Sequence, residues 1–230
     1  MSATLLLLRH GQASFGADDY DVLSPAGLRQ AEVLGEALRP LAPEVRRIVC
    51  GTMRRHRQTA EACLAAMGLP VRWDDDPGWN EFDHEAVLLA HDPAFRESLA
   101  ASGWTGGADL PGVAFRRLFL AAVERWVGGE HDADYAESWP AFLARVDAAV
   151  ERLAARPGPG PVLVFTSGGP IAAACRRSLG VPDARTLELV WRLVNAGATE
   201  LVAGSDGTTV RTFNDHAHLS AASPRLVTFR

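Results

Sequence analysis

The stretch Thr4-Leu5-Leu6-Leu7-Leu8-Arg9-His10-Gly11-Gln12 decides how this chain is read. Thr4 to Leu8 is an apolar run with no alternation of polar residues. Such a run reads as a strand buried on both faces, the kind found inside a parallel sheet. It stops abruptly at Arg9-His10-Gly11. In open α/β sheets ligands bind at the carboxyl ends of the strands. An Arg and a His at that end, followed by a glycine that lets backbone approach a ligand, mark a candidate site.

Working outward, strands and helices alternate. Ser24-Pro25 has the pattern of an N-cap with Pro at the first helical position. Leu28, Ala31, Leu34 and Leu38 follow at helical spacing, and Pro40 closes the segment. Arg47 to Gly51 reads as a second strand. A second helix starts near Met53, buries Ala60, Cys63, Leu64 and Met67, and ends at Gly68 and Pro70. Val71-Arg72-Trp73 reads as a short third strand and Asp74-Asp75-Asp76 as an exposed turn. No strand-like run occurs from His84 to Pro157. There, Phe115, Leu118, Phe119, Ala122, Val123 and Trp126 define one amphipathic helix. Phe142, Leu143, Val146, Ala149, Val150 and Leu153 define another, capped by Ser138. Gly106-Gly107 is loop punctuation, and Glu130 to Glu137 an exposed acidic loop. The α/β pattern resumes with a strand at Val162 to Thr166 and a helix through Leu179. Thr199 to Ala203 and Thr208 to Phe213 form a hairpin around Ser205-Asp206-Gly207. The expected fold is a three-layer α/β/α sandwich with a mainly parallel sheet. Residues 1–230 form one domain, with a helical insertion at 84–160 over the carboxyl end of the sheet.

Composition narrows the function. Of 230 residues, 47% are hydrophobic and 22% charged, which excludes global disorder. A net charge of −5 argues against a nucleic-acid binder with a broad basic surface. An anionic ligand must then be met by a local cluster of arginines. Cys50, Cys63 and Cys175 cannot all pair within the chain, and none lies in a zinc or redox spacing. They read as small buried residues in a reducing compartment. The apolar start is too short for a signal peptide or membrane span. A soluble, cytoplasmic protein with no membrane partner is the expectation.

Two further segments carry chemistry. Thr166-Ser167-Gly168-Gly169-Pro170 offers a hydroxyl and bare amides at a helix N-terminus, a natural anion site. Met53-Arg54-Arg55-His56-Arg57-Gln58-Thr59-Ala60 crowds cations into a first helical turn, where the macrodipole disfavours them. An anion such as a ligand phosphate would relieve that conflict. Each signal alone has a bland explanation: a turn, a solvated face, an incidental pair. Together on one sheet rim they favour a phosphate or carboxylate site.

These motifs, in this order, resemble the histidine phosphatase superfamily, the phosphoglycerate-mutase-like group. Arg9-His10-Gly11 is similar to its signature tripeptide, and Leu23-Ser24-Pro25-Ala26-Gly27 with Gln30-Ala31 to its next stretch. Arg55 with Gln58-Thr59-Ala60-Glu61 resembles its second arginine motif, Asn80-Glu81-Phe82 the segment carrying its acid, and Gly168-Gly169 its last motif. Asn195 before Thr199-Glu200 resembles the approach to its final strands. The resemblance implies a phosphatase acting on a small phosphomonoester. His10 would be the nucleophile and Glu81 the general acid and base. Arg9, Arg55, Gln12, Ser167 and Gly168 would bind the phosphoryl group, with inorganic phosphate as a further ligand. No metal or other cofactor is implied, because the arginines supply the positive charge.

One position departs from the pattern. The family carries a second histidine just before the Gly pair, where this chain has Ser167. A neutral hydroxyl bond in place of a charge-assisted one loses about 1–2 kcal/mol in the ground state. The loss grows to about a hundredfold in rate if the bond tightens in the transition state. Weakened activity is therefore expected. His84, His216 and His218 are the candidates for a replacement imidazole.

Other functions remain open at this stage. His216, His218 and Asp215 could ligate zinc, though no further ligands follow. Ser167 on a strand-to-helix turn, with Asp206 or Asp215 and His216 or His218 downstream, has the chain order of a serine hydrolase. Phe165, however, stands where that elbow wants glycine. A non-catalytic phospholigand-binding protein of the same fold is the remaining alternative. A mutase is disfavoured by Gln12-Ala13-Ser14 after the tripeptide. The tryptophans read as core or pocket walls, with Trp79 placed to desolvate Glu81. A homodimer is left open.

Overall fold

The apolar run forms β1 (Ala3–Arg9), and its neighbours explain its composition. β1 pairs in parallel with β4 (Pro161–Thr166) on one side and antiparallel with β5 (Ala198–Gly204) on the other. The computed structural model describes residues 2–14, 21–95, 97, 112–204 and 207–229. Its six-stranded sheet has the order β3-β2-β4-β1-β5-β6, with β2 at Arg47–Cys50, β3 at Asp74–Asp75 and β6 at Gly207–Asp215. β3, β2, β4 and β1 are mutually parallel, and the hairpin β5–β6 adds the antiparallel end. The mainly parallel α/β expectation holds.

Burial tracks position in the sheet. All of β4 after Pro161 is buried, whereas β5 alternates and edge strand β6 has no buried residue. That is the pattern of a central strand, a half-covered strand and a solvated edge. Side chains alternate across the sheet. Leu8, Cys50, Leu163 and Phe165 share one core cluster with Val33, Leu34, Ala60, Cys63, Leu64, Met67 and Leu219. These come from α1 (Pro25–Leu38), α2 (Arg54–Met67) and, after α3 to α7, α8 (Ala217–Ala222). All three cysteines are buried and unpaired, and burial pushes each thiol up to about 12. They are inert apolar filler, as composition suggested.

Local signals set the helix ends. Ser24 accepts from the Gly27 amide and Pro25 opens α1. Gly68 closes α2 in the left-handed region at φ 77°. Leu28, although at helical spacing, is exposed. The helix after β4, α6 (Gly168–Cys175), ends before Leu179, where Arg176 turns inward to bond Asp147 and Asp183.

The third strand is shifted from expectation. Val71 is exposed, and pairing falls instead on Asp74–Asp75, which lie in register with Val49 and Cys50. A two-residue edge strand rests on main-chain bonds, so its side chains need not be apolar. The three aspartates read as a turn instead pair with arginines. Arg47 meets Asp74 at 2.7 Å, Arg57 meets Asp75 at 2.8 Å and Arg152 meets Asp76 at 2.8 Å.

The chain divides into two compact units. One comprises Met1–Ala13, Asp21–Glu81 and Val146–Arg230 and holds the sheet; the other comprises Ser14–Tyr20 and Phe82–Arg145. In the second unit α3 (His84–His91) packs on α4 (Gly112–Gly128). Its core is aromatic. Phe82 lies 4.7 Å from Trp126, which lies 5.1 Å from Trp139, itself stacked on Phe142 at 5.5 Å. Such pairs add to area burial. Trp139 opens α5 (Trp139–Ala154), preceded by Ser138 as its cap. No described residue between 84 and 157 is in a strand. α7 (Leu187–Val190) completes eight helices among the described residues, none long and apolar enough to cross a membrane. Gly106-Gly107 and Ser205-Asp206 lie outside the described residues.

α1 and α2 cross at Gly35, where an added Cβ would stand 2.2 Å from the Cys63 carbonyl oxygen and 2.7 Å from Ala66 Cβ. Gly35→Ala must separate two packed helices. It is expected to cost about 1–3 kcal/mol, seen as a lower urea midpoint with an unchanged slope. An unchanged midpoint contradicts this packing.

Candidate active site

Arg9 and Thr166 are register partners at the ends of β1 and β4. The next residues, His10 and Ser167, therefore leave the sheet side by side, and the His10 amide donates to the Thr166 carbonyl at 2.9 Å. β2 ends one step away, with the Gly51 amide donating to the Phe165 carbonyl at 3.0 Å. The loop after it leads into α2 and delivers Arg55 and His56. Arg9, His10, Arg55, His56 and Ser167 are all buried.

His10 is fixed at both ends. Its carbonyl accepts from the Ala196 amide at 3.1 Å and from Asn195 Nδ2 at 3.4 Å. Ala196 holds a left-handed φ of 54°, rare without a glycine. The ring Nδ1 lies 2.7 Å from the Gly11 carbonyl oxygen, an acceptor only. Nδ1 must carry the proton, which leaves Nε2 with a bare lone pair. Burial holds the His10 pKa well below its usual value, and the positive charges of Arg55 and then Arg9 push it the same way. The imidazole is therefore neutral at neutral pH.

The arginines are anchored too. Arg9 donates through Nη1 to the Leu193 carbonyl. Arg55 donates through Nη1 to Asp21 Oδ1 at 2.7 Å, and Asp21 Oδ2 accepts from the Arg54 amide at 2.8 Å. Asp21 thus supplies the anion that the cation-rich first turn of α2 required, a role the sequence alone assigned to a ligand. Thr59 Oγ1 accepts from the Gly11 amide at 3.1 Å, and Gln58 Oε1 from the Leu23 amide at 2.7 Å. The Gln58-Thr59 pair therefore ties the loop after β1 to α2.

Glu81 reaches the N-terminus of α6. Its Oε2 accepts from the Gly169 amide at 3.0 Å, and a Cβ on Gly169 would stand 1.9 Å from Oε1. Only glycine leaves room for that carboxylate. Asn80 clamps the same segment to the loop after β2, bonding the Thr52 amide and hydroxyl at 2.7 Å each. Trp79 is fully buried, and its carbonyl accepts from Thr166 Oγ1 at 2.6 Å. Gln12 Oε1 accepts from Ser24 at 3.0 Å, which leaves its side-chain NH2 as the donor end. A Cβ on Gly168 would lie 3.7 Å from Arg9 Nε.

The family model of the histidine phosphatase superfamily (branch 1) matches residues 5–216. The chain belongs to this superfamily. No curated protein sequence matches it significantly. Among solved structures it is similar to a phosphoglycerate mutase from Bacillus anthracis, with TM-score 0.62, 19% identity, and 95% of this chain and 96% of that chain covered. A phosphoserine phosphatase variant from Entamoeba histolytica in complex with phosphoserine gives TM-score 0.65 at 16% identity, covering 94% and 99%. A mycobacterial glucosyl-3-phosphoglycerate phosphatase in complex with VO3 gives 0.59 at 25% identity, covering 93% and 100%.

The candidate site differs from the sequence expectation around Ser167. Ser167 Oγ lies 2.6 Å from His56 Nε2. Its partner is therefore His56, not one of the three candidate imidazoles. His216 Nδ1 faces the Asn214 carbonyl at 2.7 Å and His218 Nε2 the Ala196 carbonyl at 3.0 Å. The ring of His84 lies 4.2 Å from that of Phe82. The serine-hydrolase arrangement drawn from His216 or His218 is not assembled for the same reason. Among the described residues no group of three or more His, Cys, Asp or Glu is placed to hold a metal.

His10 and His56 are both kept neutral, chiefly by burial. Below about pH 6.5 the unfolded chain binds protons at these positions that the folded chain refuses. Stability is then full above about pH 6.5 and falls as the pH drops below it. The melting temperature is expected to fall between about pH 7.5 and 5.5, and to fall less in His10→Ala. Equal falls in both proteins contradict this assignment.

Proposed function

We propose that this chain is a phosphatase that hydrolyses a small phosphomonoester through a phosphohistidine on His10. The observation that carries the proposal is the state of His10: a neutral imidazole with Nδ1–H given to the Gly11 carbonyl and Nε2 bare, flanked by Arg9 and Arg55. A pure binding site gains nothing from an unprotonated ring nitrogen among arginines. A nucleophile needs it.

The steps follow from the residues. His10 Nε2 attacks phosphorus, the N–P bond forms and the ester P–O bond breaks. Glu81 gives its proton to the leaving oxygen. The resulting carboxylate then takes a proton from water, whose oxygen attacks phosphorus. The N–P bond breaks, and His10 and protonated Glu81 are restored with release of inorganic phosphate. Arg9 and Arg55 offer planar forks to the phosphoryl oxygens, where charge spreads in the transition state. The amides at the start of α6 add fixed dipoles. Gln12 contributes its NH2, and Ser167 and Gly168 complete the phosphoryl pocket. A lone Ser hydroxyl where the family pattern has histidine would give a weakened form of the chemistry. The phosphatases it is similar to support a small phosphorylated substrate.

Initial rates of aryl-phosphate hydrolysis test the proposal. His10→Ala should lower the rate by about a thousandfold or more. Glu81→Gln should lower it by about 10²–10⁴, with the smaller loss for substrates whose leaving group needs no proton. Wild-type activity retained in His10→Ala overturns the proposal.

A further inference from the structure

Among the buried polar groups of the described residues, the pair Ser167–His56 is one whose place the chemistry above does not explain. Both residues are fully buried, and Ser167 Oγ meets His56 Nε2 at 2.6 Å. The other ring nitrogen, Nδ1, is buried with no hydrogen-bond partner among the described residues. A histidine kept for packing alone is normally satisfied at both nitrogens, since an unmet buried polar atom is costly. His56 carries that cost and directs its single bond to one hydroxyl.

Space is reserved for this ring. A Cβ on Gly51 would stand 2.3 Å from His56 Nδ1 and 2.9 Å from Cε1. The ring also lies beside the nucleophile, with centroids of His10 and His56 5.9 Å apart. Ser167 caps α6 without using its side chain on the helix, because the hydroxyl is turned to His56.

The protonation state gives the pair a direction. Burial and then the Arg55 charge hold the His56 pKa well below its usual value, so the ring is neutral. One nitrogen donates and the other accepts. An orphaned N–H is rarer in buried sites than an under-used acceptor. The proton therefore sits on Nε2 and is donated to Ser167 Oγ, with a bare Nδ1 facing Gly51. Ser167 then has its own proton left to donate.

We propose that His56 is a positioning residue that acts through Ser167. It donates to the Ser167 hydroxyl and turns that hydroxyl's proton toward a phosphoryl oxygen. Imidazole and hydroxyl in series, with Gly51 making room, thus do the work of the single histidine that the family pattern places at position 167. The inference rests on the phosphatase function proposed above. Serial donors polarise one another, so the terminal O–H is a stronger donor than an isolated serine. The gain falls mainly in the transition state, when charge builds on the oxygens.

A double-mutant cycle tests it. His56→Ala and Ser167→Ala, alone and together, are compared for aryl-phosphate turnover and for vanadate affinity. Each single variant should lose about tenfold to a hundredfold in kcat with KM changed by less than about threefold. The double variant should be no worse than the poorer single one, as expected for residues acting as a unit. Returning the imidazole to the other position, in His56→Ala/Ser167→His, should restore kcat to within about threefold of wild type. A purely structural His56 would show additive losses and no such rescue, and either result overturns the proposal. Should His56→Ala fail to fold, Ser167→Ala removes one oxygen only. In it the histidine NMR signal of the His56 Nε2–H should shift, and an unchanged signal counts against the relay. The phosphatase function fails separately, if wild type shows no turnover. Vanadate affinity then still reads the relay, with the expected loss in both single variants. Absence of that loss, or of vanadate binding by wild type, overturns it.

Discussion

Parallel pairing of β1 with β4 leaves Arg9 opposite Thr166, so the chain leaves both strands at one level. Everything in the site depends on that register. It sets His10 beside Ser167 and Arg9 beside the start of α6. β2, paired on the far side of β4 with Cys50 opposite Phe165, brings the N-terminus of α2 to the same level. A slip by one residue would turn each side chain to the other face of the sheet. The apolar strands make such a slip expensive, because Leu5, Leu7, Leu8, Leu163 and Phe165 are fully buried. Core packing and the geometry of the candidate site are thus one constraint.

Electrostatics then decides what the assembled groups can do. Burial, reinforced by the charges of Arg55 and Arg9, holds the His10 ring neutral, and a backbone carbonyl chooses which nitrogen keeps the proton. Each arginine has an anchor of its own: the Leu193 carbonyl for Arg9, Asp21 for Arg55. Absence of side-chain bulk matters as much as charge. Gly169 admits Glu81 and Gly51 admits His56, so the two glycines shape the site by what they leave empty.

Much of this was legible in the sequence because it is local. The run Thr4 to Leu8, the Ser24-Pro25 cap and the order of the motifs place the sheet, α1, Arg9, His10, Arg55 and Glu81 from patterns a few residues long. What escaped is long-range. His56 sits among arginines at a helix start and reads as one more exposed cation; its partner is 111 residues away. The sequence signs are Ser167 where the family pattern has histidine, and a histidine directly after Arg55. Asp21 contacts α2 across 33 and 34 residues and carries no motif at all. β3 escaped for a different reason, since a short edge strand is specified by main-chain pairing and not by the apolar triplet Val71-Arg72-Trp73.

The most direct measurement is a rapid-quench search for the covalent intermediate. Enzyme mixed with a phosphate-labelled aryl ester and stopped in base should carry label on the peptide containing His10. That label should survive alkali and be lost in acid, as a phosphoramidate is. Label on Ser167, or turnover with no labelled enzyme at any time, would contradict the account.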